Sequence, residues 1–161
     1  MEHLDRYDYA ILAALQADGT LSIAQLSEKV GLSSTPCWKR VRRLEEEGYI
    51  ESRVAIVNRR KVGLPVTVFV SVRTSHHDEQ WLARFAAAVI ALPEVQEFHR
   101  MSGDVDYLLK VVTSDIDGYD RFYKKLIKVS QLTGVSSAFS MEQIKFTTAL
   151  PLALVSHGLP G

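Results

Sequence analysis

The sequence predicts an α+β chain in two parts, a small three-helix unit followed by a βαββαβ domain. Two observations carry this. Apolar residues recur at helical spacing up to Gly48, and near residue 62 the pattern changes to a period of two, with Val66, Val68, Val70 and Val72 alternating with Thr67, Phe69, Ser71 and Arg73. Beyond that change the segments run strand, helix, strand, strand, helix, strand, the order of a ferredoxin-like antiparallel sheet with both helices on one face.

The helices are marked by their ends. Asp5 is an N-cap candidate with Asp8 three residues on, and Ile11, Leu12 and Leu15 form a stripe that Asp18-Gly19 ends. Ser22 and Gln25 have capping-box spacing, Leu21 and Leu26 occupy the positions of a hydrophobic staple, Ile23, Leu26 and Val30 face one way, and Gly31 is a C-terminal stop. In the third helix Ser33 to Thr35 offer N-cap hydroxyls, Pro36 requires a first turn, and Gly48 stops the chain. Cys37, Val41 and Leu44, at i, i+4 and i+7, form its buried stripe, so Lys39, Arg40, Arg42 and Arg43 are expected to point elsewhere.

After Gly48, the alternation of Ile50, Val54 and Ile56 predicts short strands, as in a wing, and Asn58 to Lys61 with Gly63 and Pro65 reads as a linker. In the second part, a helix beginning at Asp78 carries Trp81, Leu82, Phe85 and Val89 and ends at Pro93. Strands are expected over Val95 to Met101 and Val105 to Thr113, separated by a tight Ser102-Gly103-Asp104 turn. Tyr119, Phe122, Tyr123, Leu126 and Ile127 mark another helix, and Val135 to Phe146 the last strand. One face of this sheet has no cover, and its Val, Phe and Met content favours a partner.

With 161 residues, 47% hydrophobic and 24% charged, the chain suits one ordinary domain or two small ones. Glu2, Asp5 and Asp8 interrupt any apolar leader, and no run approaches the roughly 20 apolar residues that span a bilayer, so a cytoplasmic protein without membrane contact is expected. The lone Cys37 excludes an intramolecular disulfide and thiolate metal cages, and packs as a small apolar side chain. His76-His77 reads as surface loop and His99 lacks metal partners, so no metal site is expected. Net charge is zero but unevenly spread: residues 1 to 28 hold one Arg against five acids, and residues 38 to 60 hold seven Lys or Arg against four Glu.

A capped helix, a short Gly turn and a second helix with hydroxyl and basic groups at its start describe a helix-turn-helix, whose second helix enters the major groove. Ser33, Ser34, Thr35, Trp38, Lys39, Arg40, Arg42 and Arg43 are the candidate DNA contacts, with Glu45 to Glu47 at the far end. Trp38 either packs against the first helix or covers part of the DNA-facing surface. The bland reading of the same run is a solvated helix tied by Arg42 to Glu46 and Arg43 to Glu47 pairs. Rival functions are a small-molecule-binding assembly protein or an enzyme on the ferredoxin-like domain. No nucleophile spacing or phosphate loop supports catalysis, and only Asp104 and Asp106 form a close acidic pair, aimed to one strand face.

The run LSIAQLSEKVGLSSTPCWKRVRRLEEEGYI is similar to the DNA-binding half of the Lrp/AsnC (feast/famine) transcription regulators, and SGDVDYLLKV and SMEQIK follow in the order of that family's ligand-binding domain. The likeness runs from Leu4 to Leu150. It implies an N-terminal winged helix-turn-helix over residues 1–61, a ferredoxin-like βαββαβ effector-binding and oligomerisation domain over 62–150, and a tail over 151–161. It also implies dimers through the open sheet, often octamers, a pseudo-palindromic operator, and no cofactor beyond a small effector, usually an amino acid. By that resemblance the effector lies near Met101, Ser102, Gly103, Asp104, Asp106 and Tyr107, with Ala138, Phe139 and Ser140 shaping the pocket. Backbone N–H groups of the glycine turn suit a carboxylate, and Asp104 or Asp106 an ammonium. The TPCW and FxMEQIK features are similar to members associated with sulfur amino acids such as cysteine.

Overall fold

The computed structural model describes residues 4–76, 78–129 and 132–156. Two compact units divide the chain: one takes the residues up to Ile56 and those from Lys145 on, the other Val57–Ile144.

The first unit holds α1 (Arg6–Ala17), α2 (Ile23–Val30) and α3 (Ser34–Glu46). Local chemistry sets their ends. Asp5 caps α1 by accepting from the Tyr7 and Asp8 N–H groups, and Asp8 reaches back to the Asp5 N–H, which completes a capping box. Ser22 and Gln25 do the same for α2, which ends at Gly31 with φ +72°. Ser33 takes the N-cap position of α3, yet its hydroxyl makes no capping bond. The expectation of a hydroxyl cap fails here for a simple reason: Pro36 stands at N3, the usual donor position, and has no N–H. Ile11, Ala14, Leu26, Cys37, Val41 and Leu44 form the core of the unit. Gln16 holds the returning segment, its side-chain oxygen accepting from the Leu150 N–H at 2.6 Å, and a short α6 (Ala153–Ser156) follows.

The strands expected from Ile50, Val54 and Ile56 do not form. Ile50 instead packs on the helical core and donates its N–H to Leu44 O at 3.0 Å, while residues 51–57 make no backbone hydrogen bond among the described residues and expose Val54, Ile56 and Val57. Alternation qualifies a segment for pairing, but a strand exists only where another backbone lies beside it.

The second unit contains β1 (Val66–Arg73), α4 (Glu79–Ile90), β2 (Val95–Arg100), β3 (Tyr107–Thr113), α5 (Ile116–Val129) and β4 (Gly134–Phe139). The sheet order is β2-β3-β1-β4, antiparallel throughout, as the ferredoxin-like expectation requires. Val68, Val70, Val72, Leu109 and Val111 face α4 and α5, meeting Trp81, Phe85, Val89, Phe122 and Leu126. The last strand is shorter than the sequence suggests. Phe139 pairs with Val68 and the Ser140 N–H reaches Thr67 O, where pairing with β1 ends one residue short of its first residue, Val66. Met141 and Ile144 are consequently 94% and 91% exposed.

Gly31 sits in left-handed backbone with open space around its missing Cβ, so Gly31→Ala should cost about 1 kcal/mol through backbone strain alone. Gly19, without a positive φ, should tolerate Ala with little change. Urea denaturation of both variants checks this; equal midpoints would contradict it.

Candidate nucleic-acid interface and effector turn

The three-residue connection of Gly31, Leu32 and Ser33 turns α3 across α2, and the buried stripe of α3 determines which side faces out. Cys37, Val41 and Leu44 are buried as expected, and burial pushes the Cys37 thiol pKa up. Ser33, Ser34, Thr35, Lys39 and Arg42 are exposed. Trp38 is 46% exposed, with the Arg42 guanidinium 5.5 Å from its ring centroid, so the indole belongs to the outer surface. Arg42 also pairs with Glu46 at 2.7 Å. The Ser34 hydroxyl lies 3.4 Å from that of Ser27, across the turn.

Arg40 and Arg43 behave differently from the outward pair. Both are turned toward α1, where Arg40 Nη1 meets Asp8 Oδ1 at 2.8 Å and Arg43 Nη2 meets Asp8 Oδ2 at 2.7 Å. Arg40 Nη2 also reaches Asp5 Oδ2 at 2.8 Å, and its guanidinium carbon lies 5.5 Å from the Tyr7 ring centroid. Helical spacing excludes these two arginines from the buried stripe but cannot reveal Asp8, 32 residues before Arg40. Burial raises the Asp5 carboxyl pKa, but the Asp8 N–H, the Arg40 guanidinium and the Tyr7 N–H outweigh it and hold the group below the usual carboxylate range. Burial likewise opposes the Arg40 charge, and its bonds to Asp8 and Asp5 more than offset this, raising its pKa.

The candidate effector turn is wider than a tight hairpin. It spans residues 101 to 106, closed by Met101 N–H donating to Asp106 O at 2.8 Å, with Gly103 at φ +110°, a region L side chains rarely adopt. Met101, Ser102, Gly103 and Asp104 are exposed. Asp104 and Asp106 do not share a strand face: both precede β3, and Asp106 is tied to β1, its N–H donating to Val72 O at 3.1 Å and its Oδ2 accepting from the Thr74 N–H at 2.8 Å. Tyr107 is buried, its ring 5.2 Å from Phe85 and 5.6 Å from Phe98. Ala138, Phe139 and Ser140 are not brought to the turn. Val72 pairs with Tyr107 beside it, whereas Val68 pairs with Phe139, four residues along β1 and therefore about 13 Å away. Phe139 stacks edge-on against Tyr119 at 5.1 Å, and Ala138 pairs with Phe69.

The uncovered sheet face carries Phe69, Leu108, Lys110, Val112 and Ala138, with Glu97 bonded to Lys110 at 2.6 Å and to His99 at 3.3 Å. His76 stacks on Trp81 at 6.0 Å, and His77 lies outside the described residues. Among the described residues no group of three metal-capable side chains is gathered, and no helix is long and apolar enough to cross a membrane.

A helix-turn-helix carrying an outward hydroxyl-rich and basic helix, in one chain with an antiparallel βαββαβ domain, defines the class of two-part DNA-binding transcription regulators. The chain belongs to the Lrp/AsnC family: the Lrp/AsnC ligand binding domain matches residues 67–150, and the winged helix-turn-helix DNA-binding family matches residues 4–51. It is 48% identical over 150 residues to the DNA-binding transcriptional activator DecR of Escherichia coli K12, covering 92% of this chain and 99% of that one. It is 50% identical to the glutamate uptake regulatory protein of Zymomonas mobilis, covering 92% and 91%. A crystal structure of an AsnC family regulator from Agrobacterium tumefaciens matches with TM-score 0.91 and 56% identity, covering 94% of this chain and 99% of that one. A transcriptional regulator from Neisseria meningitidis, solved as its L-Met complex, matches with TM-score 0.90 and 32% identity over 95% and 99%.

Because the folded-state pKa of Asp5 is depressed, its contribution to stability is present above the unfolded value of about 3.9 and is lost as pH falls through the folded value. Asp5→Asn should therefore lose less stability than the parent as pH falls from about 5 through the folded value of Asp5. Urea midpoints across that range test it, and parallel curves would refute it.

Proposed function

We propose that this regulator binds a pseudo-palindromic operator as a dimer or higher assembly and that an amino acid alters this binding, without any chemical turnover. In this reading residues 1–61 contact DNA, residues 62–150 bind the effector and other copies of the chain, and residues 151–161 form a tail; the protein works in the cytoplasm. The observation that carries it is the outer side of α3. Hydroxyls of Ser33, Ser34 and Thr35 cluster at its positive end, Trp38, Lys39 and Arg42 follow on the exposed side, and Glu45 to Glu47 lie at the opposite end. Thirteen residues at about 1.5 Å each make a rod about 20 Å long, suited to the major groove. Arg40 and Arg43, already neutralised by acids of α1, reach a duplex only by giving up those pairs.

For the effector, Met101 to Asp104 offer an exposed glycine turn whose N–H groups suit a carboxylate, and Asp104 suits an ammonium. Ala138 to Ser140, about 13 Å away along the sheet, join such a pocket only from a second copy, which makes assembly part of binding. The L-Met complex of the Neisseria relative supports an amino acid as the ligand class.

On DNA from upstream of its own gene, the logarithm of affinity should fall linearly with the logarithm of salt, and Lys39→Gln should reduce that slope by about 0.9. A flat response would count against phosphate contacts. Titration calorimetry of the full chain against the common L-amino acids should find a binder, with Asp104→Ala weakening it about tenfold. Binding of none, or unchanged affinity in the variant, would sink the effector assignment. Effector and DNA must also change each other's affinity by one common factor.

A further inference from the structure

The basic residues between Lys39 and Arg43 are not equivalent. Lys39 is exposed without an acidic partner among the described residues, and Arg42 pairs along its own helix. Arg40 and Arg43 converge on Asp8, which is 1% exposed and uses both carboxylate oxygens on them, while Oδ2 also accepts from the Asp5 N–H at 3.0 Å. One buried acid therefore belongs to the capping box of α1 and to the anchoring of α3.

We propose that Asp8 is a positioning residue for recognition. It fixes the rotation of α3 about its own axis and withholds the Arg40 and Arg43 guanidiniums from DNA phosphates. Two charge-assisted bonds from residues three apart on one helix, meeting on a single carboxylate, resist rotation in a way that one bond does not. Moving either arginine to a phosphate would break one of these pairs and leave a buried carboxylate less compensated, so the pairs persist when DNA arrives. Phosphate contacts favour every sequence alike. Withholding two of them lowers affinity for arbitrary DNA and leaves discrimination to the exposed side of Ser34, Thr35, Trp38 and Lys39.

This inference rests on α3 being the recognition helix, and the test separates the two. Salt dependence of binding is measured with full-length protein on the upstream fragment and on a scrambled duplex of equal length, with circular dichroism to confirm folding. Asp8→Asn, of nearly the same shape but neutral, should steepen the slope on the scrambled duplex by about 1 to 2, at about 0.9 per phosphate gained, and reduce the ratio of upstream to scrambled affinity. With Asp8 in place, Arg43→Gln should leave the parent slope unchanged, while Lys39→Gln lowers it by about 0.9. Should Arg43→Gln unfold the protein, the double variant Asp8→Asn/Arg43→Gln, which leaves no buried charge at either position, should bring the Asp8→Asn slope back toward the parent by about 0.9. An Arg43→Gln slope as shallow as that of Lys39→Gln, an Asp8→Asn slope equal to the parent, or a double variant no shallower than Asp8→Asn overturns the proposal. A parent with no salt dependence and an indifferent Lys39→Gln overturns the recognition-helix reading itself, a pattern distinct from the other three.

Discussion

Strand β1 is the constraint on which the second unit is built. It has a hydrogen-bonded neighbour on each side and a covered face of three fully buried valines, Val68, Val70 and Val72. Because side chains alternate with a strict period of two, burying that set commits Phe69 and Ser71 to the opposite face, and a one-residue slip would reverse both faces together. The turn over residues 101 to 106 is fastened to the end of β1 through Val72 and Thr74, and Ser140 is fastened near its beginning through Thr67. The candidate effector residues thus share one rigid reference yet sit at opposite ends of it.

Charge in the helical unit follows an equally local logic. A net charge of zero conceals acids near the N-terminus and bases after Trp38, and α1 and α3 bring part of each group into direct contact. Asp5 and Asp8 are therefore structural counterparts of the basic helix as well as the cap of their own. The outward charge of α3 is smaller than the sequence run suggests, carried by Lys39 and Arg42 near the middle of the helix.

The features legible in the sequence were those decided by neighbouring residues. Asp5, Ser22 and Gly31 act within one helical turn of themselves, Cys37, Val41 and Leu44 follow a helical period, and the sheet order follows from counting strands and helices. Misreadings arose where a distant backbone or side chain decides. Val54 and Ile56 alternate correctly but have no adjacent strand among the described residues, and β4 stops at Phe139 as its pairing nears the start of β1, although apolar residues continue beyond it. The direction of Arg40 and Arg43 depends on Asp8, and the separation of Gly103 from Ala138 depends on register; neither is encoded in local spacing.

The start of α3 differs from its two predecessors in a way that reaches beyond folding. Asp5 and Ser22 each commit a side-chain oxygen to capping their own helix, Asp5 with its second oxygen on Arg40, so replacing either would alter stability and any surface role together. Ser33 commits nothing, since proline at N3 removes the usual internal donor. Its hydroxyl can therefore serve another molecule without loosening the helix. This is a position where evolution or a protein engineer can tune contact chemistry while the fold stays nearly indifferent.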